Sequence, residues 1–176
     1  MLFRSANHKA ETIGVRLAAT NSTTKAVDAY MKIKDAFVED DTAAVKKNAA
    51  QFLACLDSIS LEDLKKDSNN IYEGAKATFQ DIKANIESMV SQNDITEMRR
   101  DFNNATMNMP QIFGWIHYNG NTLYLQRCPM AFGENQGANW LSNSREIVNP
   151  YLGKNHPVYH SSMLHCGEII DSVTAN

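Results

Sequence analysis

Cysteine is scarce: three in 176 residues, with no C-x-x-C pair among them. That is too few for a disulfide scaffold. Long apolar runs are absent as well. No stretch approaches the roughly eighteen apolar residues that a membrane-crossing helix needs. The opening segment, MLFRSANHKAETIG, is too polar for a secretory signal, so on its text alone the chain reads as cytoplasmic. There is no basic stripe either. Lysines and arginines fall singly or in twos, as at Lys46-Lys47 and Arg99-Arg100, and the net charge is −3. Neither nucleic acid nor an anionic membrane is drawn to such a surface. The sequence also lacks a glycine-rich phosphate loop, an H-E-x-x-H and a G-x-S-x-G. A non-catalytic protein is therefore expected, one that does not span a membrane.

What is present is a core. Hydrophobic content of 43% with 21% charged residues suits one soluble globular domain of this length. Residues 1–21 show no sustained period and read as a flexible arm or tail, leaving 22–176 as a single domain. Apolar residues then recur at helical spacing. Val27, Tyr30, Met31 and Phe37 form a first stripe, with Ser22 to Thr24 as candidate N-caps. Val45, Ala49, Phe52 and Leu56 follow Asp41 or Thr42 as cap. Ile71, Ala75, Phe79, Ile82, Ile86 and Met89 make the most regular stripe. A fourth, capped by Asp94, runs through Met98, Phe102, Met109 and Phe113, with Pro110 predicting a kink or break. Four amphipathic helices on short polar links predict an all-α fold, an antiparallel four-helix bundle.

The character changes near Asn119-Gly120-Asn121, a turn signal. Thr122 to Gln126 alternates like a strand, and the remainder is rich in Gly, Asn, Ser and Pro. Residues 119–176 are thus expected as an irregular C-terminal cap with one or two short strands. Trp140, Leu141, Ile147, Tyr151 and Leu152 supply its packing anchors. So long a loop region needs pinning by a sulfur cross-link or a metal.

The chemistry-bearing residues lie in this cap. In Cys128-Pro129-Met130 the two sulfur side chains share a face of an extended segment. Met163 and Cys166, three apart, meet on one turn. Two Cys-plus-Met pairs make a soft sulfur set of the kind that selects copper(I). His165 lies between Met163 and Cys166 and is the best placed histidine. His156 and His160 are spaced for one helical face, but Pro157 turns His156 away from helical backbone. Cys55, on the apolar side of the second helix, reads as a buried structural thiol. Two readings of the sulfur set stand side by side. One is a copper site built from Cys128, Met130, Met163 and Cys166 with His165 in reserve. The other is a Cys128–Cys166 disulfide stapling the cap of a structural or interaction module.

YLQRCPMAF, GANWLSNSREIVNPYLG and MLHCGEI together resemble the signature of an exported helical family labelled a domain of unknown function. Its members stand alone or are fused to copper/silver-type efflux adaptors and heavy-metal-associated domains. The resemblance runs from about Thr24 to Glu168. It implies a periplasmic or exported protein whose leader is absent from this sequence, one that handles metal for an efflux adaptor or another envelope partner. One departure is the longer link His156-Pro157-Val158-Tyr159-His160-Ser161-Ser162 between NPYLG and the Met-x-x-Cys.

Overall fold

The structure, a computed structural model, describes residues 3–66, 71–116, 118 and 120–174, with side chains described from residue 21 onward. Among the described residues are four α-helices: α1 (Phe3–Val38), α2 (Thr42–Asp57), α3 (Tyr72–Ser91) and α4 (Ile95–Trp115). A short 3-10 turn, Glu62–Lys66, precedes α3.

Two helix starts are set by aspartates. The Asp41 carboxylate accepts from the Ala44 amide, and that of Asp94 from the Thr96 and Glu97 amides. Each thereby satisfies backbone donors that the first helical turn leaves without partners. The helix expected from Ser22 begins instead at Phe3, so the candidate caps Ser22 to Thr24 lie inside it. Met1 and Leu2 of the expected arm, its side chains through residue 20, and Asn119 of the turn signal lie outside the described residues. α4 continues unbroken past Pro110, so the alternative of a break is corrected.

α1 packs on α2, α2 on α3 and α3 on α4. Aromatic side chains close the core between the first helix and the last: Tyr30 stacks on Phe102 at 5.0 Å between ring centroids, and Phe37 lies against the same ring at 5.1 Å.

The C-terminal third is more regular than its composition suggests. In place of the one or two strands expected, three form an antiparallel sheet in the order β2-β1-β3, with β1 Leu123–Cys128, β2 Ala138–Ser142 and β3 Glu168–Val173. Alternation betrays β1, whereas β2 (ANWLS) is buried along its whole length and so carries no alternation to read. The outer edge of β2 is covered by helix side chains. The Asn139 amide donates to the Asn103 side-chain oxygen of α4 at 2.9 Å, and the Leu141 amide to the Tyr30 hydroxyl of α1 at 3.0 Å. Ladder donors that would otherwise be stranded are thus satisfied. β3, the opposite edge, is largely exposed and shifts register beside Leu125 and Gln126, which leaves Ile170 as the unpaired residue of a bulge.

Candidate metal centre

The sheet register positions the sulfurs. Arg127 on β1 pairs with Glu168 on β3, so the residues just beyond them, Cys128 and the Cys166-Gly167 step, come level. Cys128 is fully buried, Cys166 is half-buried, and their Sγ atoms lie 3.3 Å apart as free thiols.

Gly167 makes the approach possible. Its φ is +148°, a conformation side chains oppose. A Cβ there would also lie 2.8 Å from the Arg127 carbonyl and 2.9 Å from the Trp140 ring.

The chain before Cys166 is held by Asn149, which is fully buried. Its amide nitrogen donates to the Cys166 carbonyl at 2.8 Å, and its side-chain oxygen accepts from the amides of Tyr151 (2.8 Å) and Leu152 (3.1 Å). The Asn149 backbone N–H donates to the Leu164 carbonyl at 2.8 Å. Asn149 therefore ties the N-P-Y-L-G segment to the Leu164–Cys166 segment. That segment in turn is moored to the helices. Tyr151 packs among Phe102, Phe132 and Trp140, and its hydroxyl donates to the Asn139 carbonyl.

Arg99, buried in α4, completes the mooring. It donates to the carbonyls of Pro150 and Phe37, both at 2.8 Å, and to the Asp40 carboxylate at 2.6 Å. Burial pulls its pKa below the usual guanidinium value, with Asp40 opposing. Gly153 passes so close to the end of α1 that a Cβ would meet the Phe37 carbonyl and the Asp40 carboxylate at 2.8 Å.

The other residues expected at the site fall as follows. Met130 and Met163 are half-buried and pack against the core, as does Cys166. The Met163 carbonyl accepts from the Cys166 amide at 3.0 Å, closing the turn that joins them. His165 is exposed, and its Nδ1 lies 2.7 Å from the Ile147 carbonyl. In the neutral ring that contact places the proton on Nδ1 and leaves Nε2 as the free acceptor. His156 Nδ1 accepts from the amides of Val158 and Tyr159, and its ring stacks on Tyr159. Cys55 is half-buried rather than fully buried.

Among the described residues no group of three or more His, Cys, Asp and Glu is arranged to hold a metal ion. A groove of about 330 Å³ lined by Arg100, Asn103, Asn104, Phe132, Gln136 and Gly137 contains neither cysteine.

Burial, then the hydrogen bond and charge of Cys128, push the Cys166 thiol up to about 11. Cys166 is therefore a protonated thiol at neutral pH, a poor nucleophile but a soft ligand once its proton is displaced.

Asn149, Gly167, Gly153 and Arg99 are what sequence reasoning missed. Three of the four stand in N-P-Y-L-G and Met-x-x-Cys-Gly, where the neighbouring aromatic and sulfur residues draw attention first. Among the described residues no helix is long and apolar enough to cross a membrane.

Comparison with curated proteins gives no match, and comparison with solved structures gives none either. Residues 26–118, the helical region, match the family described as "Protein of unknown function (DUF3347)", consistent with the helical family of undescribed function that the sequence resembles. The match ends before the C-P-M, N-P-Y-L-G and Met-x-x-Cys-Gly segments that build the sulfur pair. It nevertheless spans more than half of the 176 residues, and the chain belongs to that family.

Proposed function

We propose that this protein binds and hands on a soft metal ion, copper(I), without catalysis, through Cys128 and Cys166. Met130 and Met163 act as neutral sulfur partners, and His165, held on the Ile147 carbonyl and not grouped with the thiols here, is a reserve ligand that has to move to join them. The carrying observation is the 3.3 Å separation of two thiols that lie 38 residues apart in sequence. With metal–sulfur bonds of about 2.3 Å, a tetrahedral ion holds its sulfurs about 3.8 Å apart. The pair need therefore open by only about half an ångström, within reach of small side-chain rotations. In this reading the helices form an antiparallel bundle that supports the sulfur-bearing cap. The C-terminal motifs, which resemble those of domains fused to efflux adaptors, make such an adaptor in the cell envelope the natural recipient, and export the route there. The high thiol pKa of Cys166 weighs against a thiol redox enzyme, whose attacking sulfur needs a depressed one.

Titrating the reduced protein with copper(I) should give stoichiometric binding, which Cys128→Ser and Cys166→Ser abolish and Cys55→Ser leaves intact. Absence of stoichiometric binding, or its survival in Cys128→Ser, would falsify the proposal.

The same closeness favours a second reading, a disulfide that staples the cap of an interaction module. Freshly prepared protein counted under denaturing, non-reducing conditions separates the two: three free thiols support the metal site, one supports the staple.

A further inference from the structure

We infer that the Cys128–Cys166 pair is also a condensation site for a trivalent thiophilic oxyacid, of the arsenite and antimonite class. This rests on the reading of the two thiols as a soft-ion site and concerns which ion class the site's shape favours. Two sulfurs 3.3 Å apart, each about 2.3 Å from a bound centre, subtend roughly 90° there. Linear two-coordination would spread them to about 4.6 Å and tetrahedral coordination to about 3.8 Å. An angle near 90° belongs to pyramidal centres that bond through p orbitals and keep a lone pair, as trivalent arsenic and antimony do.

The surroundings point the same way. Cys128 is fully buried, Gly167 is walled by the Trp140 ring and the Ile147 side chain, and no third His, Cys, Asp or Glu among the described residues joins the pair to hold an ion. Two thiolates on copper(I) leave a net negative charge, part of it on the fully buried Cys128 sulfur. The oxyacid leaves none, and burying an uncompensated charge is costly.

The step is a condensation that balances without oxidant or reductant. Arsenous acid carries three hydroxyls on arsenic. Two As–O bonds break and two As–S bonds form, each departing hydroxide takes one thiol proton, and two waters leave. Arsenic remains trivalent and keeps its third hydroxyl toward the Cys166 side, where the pair is the more accessible.

Proton stoichiometry gives the test. Copper(I) binding displaces both thiol protons into solution, so its apparent affinity rises roughly 100-fold per pH unit while the free thiols are protonated. Condensation with arsenous acid releases no net proton, so its affinity stays flat. Full-length reduced protein is titrated with sodium arsenite, and separately with copper(I), between about pH 6 and about pH 7.5, below the ordinary thiol pKa. Free thiols are counted and intact mass recorded.

The inference expects one arsenic per chain, two of the three thiols protected, and a constant near-level with pH. Cys55→Ser should be unaffected, and Cys166→Ser weaker by on the order of 100-fold because the chelate is lost. Circular dichroism checks that the variant is folded, and thiol protection in the unmutated chain gives a readout that does not depend on it. Copper(I) binding without thiol protection by arsenite overturns this inference and leaves the copper proposal standing. Arsenite binding without copper(I) binding does the reverse. Failure of both removes both.

Discussion

Tyr30 carries a directional relay between helix and sheet. The Thr106 hydroxyl donates to the Phe102 carbonyl at 2.8 Å, so its proton is committed. The Tyr30 hydroxyl must then donate to Thr106 (2.7 Å) while accepting from the Leu141 amide (3.0 Å). Tyr30→Phe keeps the ring on Phe102 but strands the buried Leu141 amide. A loss of about 1–3 kcal/mol is expected in urea denaturation; an unchanged midpoint would mean that another group takes up the amide. Gly167 acts through backbone rather than side chain. Gly167→Ala combines a strained φ with contacts that cannot give way, the Arg127 carbonyl and the Trp140 ring. The expected result is a lower melting temperature together with faster alkylation of Cys128, because the β3 entry must move away from β1. A stable Gly167→Ala protein with both thiols still protected would show that the sulfurs meet without this close pass.

At the scale of elements, the cap is held by one segment, Asn149 to Lys154, clamped on both sides. Asn149 grips the Cys166 strand entry. On the other side the Lys154 amide donates to the Val38 carbonyl at 2.8 Å, and the Asn155 amide to Asp40 at 2.8 Å. Asn149→Ala removes three side-chain hydrogen bonds and leaves the buried Tyr151 and Leu152 amides without an acceptor. It should cost about 1–3 kcal/mol or more, and Cys166 should be alkylated several-fold faster than in the unmutated chain. Loss of stability with unchanged Cys166 reactivity would separate the clamp from the sulfur pair. The helices were legible because their stripes repeat Val45, Ala49, Phe52, Leu56 or Phe79, Ile82, Ile86, Met89 at a period only one structure satisfies, and Asp41 and Asp94 cap where expected. The pairing of Cys128 with Cys166 was legible as two sulfur clusters in one cap. The sheet that brings them together was not. β2 is buried on both faces, and β3 is largely exposed with only Ile169 and Val173 half-buried, so neither shows the alternation by which strands are read. Arg99, a charge inside an apolar stripe, reads as surface until Asp40 and two carbonyls are seen around it.

In the molecule as a whole, Tyr30, Tyr151 and Cys166 hold their protons to higher pH in the folded chain than in the unfolded one, and this sets its alkaline response. Burial lifts the pKa of both Tyr30 and Tyr151 well above its ordinary 10.0, and that of Cys166 from 9.0 to about 11. In each case the unfolded chain loses the proton first. The folded state binds more protons in that window, so stability falls as pH rises. This contribution is fully present below pH 9.0 and declines from there, first through the thiol and above pH 10.0 through the tyrosines. Each fully buried tyrosine adds a slope of about 1.4 kcal/mol per pH unit once its unfolded counterpart ionises. His156 acts at the acid end with the opposite sign. Burial, then Arg99, lower its pKa below 6.5 against the pull of Asp40, with His160 adding to the lowering, and its Nδ1 is occupied accepting two amides. Its contribution is present above pH 6.5 and is lost as pH falls through the folded value. Urea midpoints of the reduced protein should therefore be highest between these limits and fall toward alkali. Tyr30→Phe should flatten the alkaline limb by about one proton, whereas His156→Gln should flatten only the acid limb. An alkaline limb equally steep in Tyr30→Phe would show that Tyr30 supplies none of the titrating protons and detach the pH response from its contact between helix and sheet.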